Sequence, residues 1–142
     1  MAAIRRSSGF RIMIKKVEKP FSDNTLDEFN WLCECLGFFE PIDKSKTAAS
    51  VFKELVNATD KGEALSSTAL AERVGMSRGS VINHLNNLLE AGLITKRGRF
   101  YFARSRSVFR TLKEIEEDIL RVFHDMEDTA REIDEQFNRF YD

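Results

Sequence analysis

Ser77, Arg78, Gly79, Ser80, Asn83 and Asn87 crowd the start and one side of a single helical stretch in the middle of the chain. Each brings a specific capacity. A guanidinium such as that of Arg78 is a planar fork of donors that matches the acceptor edge of guanine. A carboxamide such as that of Asn83 donates and accepts at once, as the edge of adenine requires. The hydroxyls of Ser77 and Ser80, with the free N–H groups of a helix start, suit phosphate oxygens. Gly79 lets a backbone come close. Ile82 reads either as a contact for a thymine methyl or as half buried, and His84 as a residue beside the following hairpin or near phosphate. A few residues on, Lys96, Arg97 and Arg99 bracket Gly98. That cationic tip can reach phosphates or an adjacent minor groove, with Arg104 and Arg106 adding charge. In this order the groups point to double-stranded DNA. The other reading is a protein-docking module in which the same side chains are a solvated face.

The remaining reactive residues are sparse. Cys33 and Cys35 form a C-x-C, but residues two apart on a helix point to different sides, so the pair alone chelates poorly. They read first as one buried and one half-exposed thiol, and second as a thiolate pair for a soft metal or for redox sensing. His124 with Asp125 or Asp128 completes such a site only if the tertiary fold brings them near. No metal or other cofactor is expected. The chain has two His and lacks G-x-S-x-G, G-K-[ST] and H-E-x-x-H motifs, so an enzyme is not expected. Trp31, Phe38, Phe39 and Phe52 read as ordinary core, with a ligand pocket for an unknown effector as the alternative.

Positioning elements follow from caps and periodicity. Phe10–Val17 alternates imperfectly and predicts a short strand stopped by Pro20. Ser22 to Asn24 can cap a helix through about Leu36, with Leu26, Phe29, Leu32, Cys33 and Leu36 on one face. Ser45 can cap a second helix, about Lys46–Ala58, that buries Ala49, Phe52, Leu55 and Val56. Ser67 or Thr68 caps a short helix ending near Val74, and Gly75-Met76-Ser77 turns the chain. Ser77 caps a helix over about Arg78–Ala91, closed by Gly92, with Val81, Leu85, Leu88 and Leu89 inward. Leu93–Lys96 and Phe100–Ala103 predict a hairpin around Gly98.

Beyond Ser107 neither Pro nor Gly interrupts the chain, and one long helix to about Phe140 is expected. Leu112, Ile119, Met126, Ile133 and Phe140 recur every seven residues. Glu116, Phe123, Ala130 and Phe137 form a second row, which Ile115 and Val122 widen. This is a coiled-coil-like seam with Glu116 as a blemish. At ~1.5 Å per residue the helix approaches ~50 Å, too long for a small domain to cover. A second copy of the chain is the expected cover.

Length, composition and charge set the bounds. With 142 residues, 42% hydrophobic and 32% charged, the chain can build one core of domain size. Twelve Phe against one Trp and two Tyr favour packing over a polar aromatic surface. No apolar run is long enough for a membrane helix, and MAAIRRSSGF has no apolar h-region, so a soluble cytoplasmic protein is expected. Net charge is only −1, but it is unevenly placed. Residues 1–20 carry six Lys or Arg against one acid, and residues 62–110 carry eight against three. Residues 21–61 carry four against eight, and 111–142 carry four against eleven. A basic middle and an acidic tail mean that only part of the surface seeks a polyanion. Residues 1–9 read as a solvated tail, with an arm on DNA as the alternative.

In helix-turn-helix units a small residue sits at the crossing, a Gly makes the turn and a branched aliphatic locks the second helix. Ala71, Gly75 and Val81 have that order and spacing. The stretch TALAERVGMSRGSVINHLNNLLEAGLITKRGRFYFA resembles the winged helix-turn-helix of ArsR- and MarR-type transcription regulators, most fully over residues 62–104. SVFRTLKEIEEDILRVFHDMEDTAREIDEQF is similar to the long C-terminal helix of small archaeal regulators related to them. Leu32-Cys33-Glu34-Cys35 mimics the Leu-Cys-x-Cys of ArsR-type metal sensors, but lies some forty residues earlier than theirs.

The expected fold is mainly α with a small β-hairpin (α+β). It comprises an N-terminal extension (1–44), a winged helix-turn-helix (45–104) and a long dimerisation helix (105–142). The resemblance implies a sequence-specific DNA-binding regulator acting as a homodimer. Its contacts are expected from Ser77, Arg78, Gly79, Ser80, Asn83, His84, Asn87, Lys96, Arg97 and Arg99, and its dimer seam from Leu112, Ile119, Phe123, Met126, Ala130, Ile133 and Phe137.

Overall fold

The computed structural model describes residues 13–37 and 46–138. Five helices and three strands follow one another as α1 (Thr25–Cys35), α2 (Thr47–Asp60), β1 (Leu65–Ser66), α3 (Ser67–Val74), α4 (Arg78–Glu90), β2 (Ile94–Arg97), β3 (Phe100–Ala103) and α5 (Val108–Gln136). The fold is a winged helix-turn-helix: mostly helical, with a small antiparallel sheet and a long C-terminal helix.

Caps account for the helix starts. Asn24 accepts from the N–H groups of Leu26 and Asp27, Ser77 from Ser80, and Ser107 from Arg110. The short helix α3 starts on Ser66, which accepts from Ala69, rather than on Ser67 or Thr68 as expected. At α2 the cap is Lys46, in the left-handed region at φ 53 and without a side-chain cap bond. Its ammonium instead pairs with Asp27 of α1. Ser45, the expected cap, lies outside the described residues.

The core is a sandwich of α2 between α1 on one side and α3, α4 and the sheet on the other. Phe52, Leu55 and Val51 of α2 are fully buried with Leu70, Val81, Leu85, Leu88 and Leu93. Burying each such side chain contributes roughly 1.5–3 kcal/mol before entropy is counted. Phe29 of α1 meets Phe52 edge-on at 5.4 Å between centroids. Thr59 at the end of α2 accepts from the Ala103 N–H at 2.9 Å and so pins β3 to the helix.

The sheet has order β1-β3-β2. The predicted hairpin is present, with Arg97 opposite Phe100 and Gly98 at φ 60, where a two-residue type II′ loop places glycine. The third strand is new. Leu65 and Ser66 pair with Tyr101 and Phe100, which joins the start of α3 to the hairpin.

Two expectations are corrected at the chain's ends. Among the described residues of 10–17, positions 13–17 form no strand. They lie beside α1, held where the Lys15 N–H donates to the Cys35 carbonyl and where the Trp31 indole donates to the Val17 carbonyl. Two such isolated bonds tether a segment without making a ladder. Helix α5 ends at Gln136, short of Phe140, because Asn138 takes φ 52 in the left-handed region that closes helices.

The apolar stripe of α5 also divides. Thr111, Ile115 and Asp118 are buried and Ile119 packs on the core, whereas Leu120, Val122, Phe123, Met126 and Ile133 are about half exposed. The first three turns therefore belong to the domain, and the rest of the helix projects from it. No helix among the described residues is long and apolar enough to cross a membrane.

Candidate nucleic-acid interface

The crossing of α3 and α4 sets the surface. Gly75 ends α3 at φ 69, a conformation that only glycine adopts at little cost, and the Met76 N–H donates to the Ala71 carbonyl. Ser77 then starts α4. Val81, Leu85 and Leu88 face the core, so the opposite side carries Gly79, Ser80, Asn83, Asn86 and Asn87, all exposed. From Arg78 to Asn87 this row spans about 14 Å, comparable to the ~12 Å width of a DNA major groove.

Arg78 is placed by a contact that its sequence position does not reveal. Its Nε donates to the Oγ of buried Ser67 on α3 at 3.2 Å. That bond orients the guanidinium and leaves its two terminal amino groups as a fork at the tip of α4. Ser77 Oγ donates to Ser80 Oγ at 3.0 Å, so the two hydroxyls sit together at the helix start. Asn86 is an addition to the expected set. It belongs to the exposed row by its position three residues after Asn83.

His84 is corrected. It is buried, and its Nε2 lies 2.8 Å from the Thr47 hydroxyl of α2. It falls three residues after Val81 and four before Leu88, on the inward stripe, and the partner that makes this tolerable comes from a distant helix. His84 therefore joins the core rather than the exposed face.

At the hairpin Lys96, Arg97 and Arg99 are exposed and lie over aromatic rings. The distances to the centroid are 5.3 Å for Lys96 on Tyr101, 4.5 Å for Arg97 on Phe102 and 5.0 Å for Arg99 on Phe100. Arg97 and Arg99 cover half-buried rings and Lys96 a buried one, while each charge stays at the water boundary.

Arg104 is corrected too. Its guanidinium pairs with Asp118 at 2.7 Å and Glu114 at 3.1 Å, both on α5. It fastens α5 to the base of the hairpin and is not available to phosphate. Arg106 is exposed.

Electrostatics elsewhere is structural. Arg73 donates to Glu63 at 2.6 Å, which holds the Glu63 carboxyl below its ordinary value and raises Arg73. Asp27 is lowered by its bonds from Lys46 and Ser22. Lys113 is raised by Glu116.

The alternative sites do not assemble. Cys33 is buried and Cys35 half-buried, and neither is in a disulfide. No group of three or more His, Cys, Asp or Glu converges among the described residues, so Cys33 and Cys35 are not brought to His124, Asp125 or Asp128. Trp31 and Phe52 serve packing, and Phe38 and Phe39 lie outside the described residues, as do residues 1–9.

Residues 45–97, which hold the α3–turn–α4 unit, match the family model of a helix-turn-helix domain. The match covers a little over a third of the chain and takes in α2, β1, α3, α4 and β2. No curated protein and no solved structure matches the chain. The matched segment thus includes the exposed row of α4 and the first strand of the hairpin, while α1, β3 and α5 lie beyond it.

Proposed function

We propose that the chain is a sequence-specific DNA-binding transcription regulator that works as a homodimer. In this reading α4 enters the major groove, with Arg78 on a guanine edge, Asn83 and Asn87 on neighbouring bases, and Ser77 and Ser80 on phosphate. Lys96, Arg97 and Arg99 meet the backbone or an adjacent minor groove. Residues 45–104 are the reading head and 105–142 the dimerisation segment, with α5 as its helix.

One observation carries this reading. Among the described residues, Arg73, Arg104, Arg110, Arg121 and Arg131 are ion-paired with carboxylates within the chain. The described arginines outside these pairs are Arg78, Arg97, Arg99 and Arg106: the tip of α4, the hairpin loop and the segment after β3. Arginines without an internal carboxylate partner at these places are what a polyanion partner requires.

The test is selection from a random duplex pool, with bound DNA sequenced and affinity followed by fluorescence anisotropy. An enriched, near-palindromic motif is the expected result. Unselective binding that disappears near physiological salt would overturn the reading and redirect attention to protein partners.

A further inference from the structure

The projecting part of α5 is built to pair with itself. Its apolar residues fall in two interleaved rows, Ile119, Met126 and Ile133 in one and Phe123 and Ala130 in the other. Successive members are alternately four and three residues apart, the spacing of a two-helix seam. Phe123, Met126 and Ile133 are 52%, 51% and 48% exposed, and Ile119 is the point where the seam meets the core. Covering such half-exposed side chains on two copies removes roughly 1,000 Å² from water, near the lower bound of a stable interface.

The direction of pairing follows from side-chain volume. In a parallel pair each residue meets its own copy, so the layers run Ile119, Phe123, Met126, Ala130 and Ile133, each on its like, and the Phe123 layer bulges while the Ala130 layer is hollow. Packing at interior density tolerates neither. An antiparallel pair whose two-fold axis passes at Asp128 joins residues equally far on either side. Phe123 then meets the partner's Ile133, and Met126 meets the partner's Ala130. Every layer combines a large residue with a smaller one. The exposed overhang, Leu120 to Gln136, is itself centred on Asp128, so this register uses the whole of it.

We infer that α5 forms an antiparallel two-helix seam with a second copy of the chain, with its dyad at Asp128, Phe123 against the partner's Ile133 and Met126 against the partner's Ala130. The arrangement rests on the dimeric reading above and adds its geometry. Glu127 comes to lie near the partner's Glu127 at the dyad, a like-charge contact that sets a limit on the strength of the dimer. Asp118, which fixes each α5 to its own domain, lies ten residues from the dyad. The two anchors are therefore about 30 Å apart along the seam, close to the ~34–36 Å that separates half-sites one DNA turn apart.

Disulfide trapping tests this in full-length protein carrying Cys33→Ala and Cys35→Ser. Phe123→Cys and Ile133→Cys are made singly and together, oxidised, and compared with the unoxidised sedimentation mass. Ten residues on one helix are about 15 Å apart, too far for a disulfide within the chain. The expected result is a dimeric mass throughout, no covalent dimer from either single variant, and efficient covalent dimer from the double variant. Mixing the two single variants should also give covalent dimer. In addition, Glu127→Gln should tighten the dimer several-fold. Covalent dimer from the single variants would mean a parallel seam and overturn the arrangement. A dimer that none of the variants links would overturn the register. A monomeric mass in the Cys-free background and in the parent chain would overturn both the seam and the homodimer. None of these outcomes depends on whether DNA is bound, so failure here is separable from failure of the DNA-reading proposal.

Discussion

Arg104, at the foot of β3, and Asp118, in the third turn of α5, are joined at 2.7 Å, and the Asp118 side chain is only 8% exposed. The same guanidinium lies 3.4 Å from the Gly92 carbonyl, just past the end of α4. One side chain thus touches the end of the candidate reading helix, the root of the hairpin and the long helix. Arg121 also pairs with Asp118 but is largely exposed.

Loss of Arg104 should therefore cost more than loss of Arg121. Arg104→Met keeps much of the stem but leaves buried Asp118 short of its half-buried partner. Urea denaturation should show a stability decrease of about 1–3 kcal/mol. Arg121→Ala should cost under about 0.5 kcal/mol. Equal effects would mean that the buried pairing does not anchor α5.

Arg78→Ala should weaken binding to a selected operator by about 1–3 kcal/mol and leave random-sequence binding nearly unchanged. Ser67→Ala, which frees the guanidinium without removing it, should cause a smaller loss of the same kind. Competition anisotropy with operator and random duplex reads both. Unchanged discrimination in Arg78→Ala would remove this residue from base reading.

Replacing Arg97 and Arg99 together with Ala should make the plot of log affinity against log salt shallower by roughly 2, about 0.9 for each phosphate no longer neutralised. An unaltered slope would place the hairpin away from the backbone. The same variant uncovers Phe100 and Phe102, so its thermal unfolding should be measured alongside.

Acid should act partly through Glu63 and Asp27. Both carboxyls are held below their ordinary values, Glu63 by Arg73 and Asp27 by Lys46 and Ser22. A carboxyl with a depressed folded-state value contributes stability above its unfolded value and loses it as pH falls through the folded one. Glu63→Gln should therefore flatten the acid side of the stability profile and leave the alkaline side alone. An unchanged acid limb in urea titrations would show that the Arg73 contact is too solvated to matter.

The elements were largely legible because their ends are marked by chemistry. Asn24 and Ser77 cap as their side chains predict, and Gly92 and Gly98 turn where positive φ is needed. The misreadings have physical causes. Leu65-Ser66 is too short a strand to show any periodicity, yet it decides how the sheet closes. Ser66, Ser67 and Thr68 are interchangeable as caps on paper, and only the backbone selects Ser66. His84 and Arg104 read as DNA-facing because their type suits phosphate. The Thr47 hydroxyl and the α5 carboxylates that claim them lie 37 and at most 14 residues away, contacts that only folding makes. The exposed row of α4 was legible from helical spacing, save for Asn86.

Strand β1 has a mechanical consequence. Ser66 closes a rung with Phe100 of the hairpin and, through its own hydroxyl, begins α3. Hinge motion between the hairpin and the α3–α4 pair would have to break that rung and the cap at once. The head is consequently a jig of fixed span rather than a pair of adjustable fingers. A duplex that binds it must bring groove and backbone to that span, so sequences that bend cheaply should be favoured even at base pairs no side chain touches.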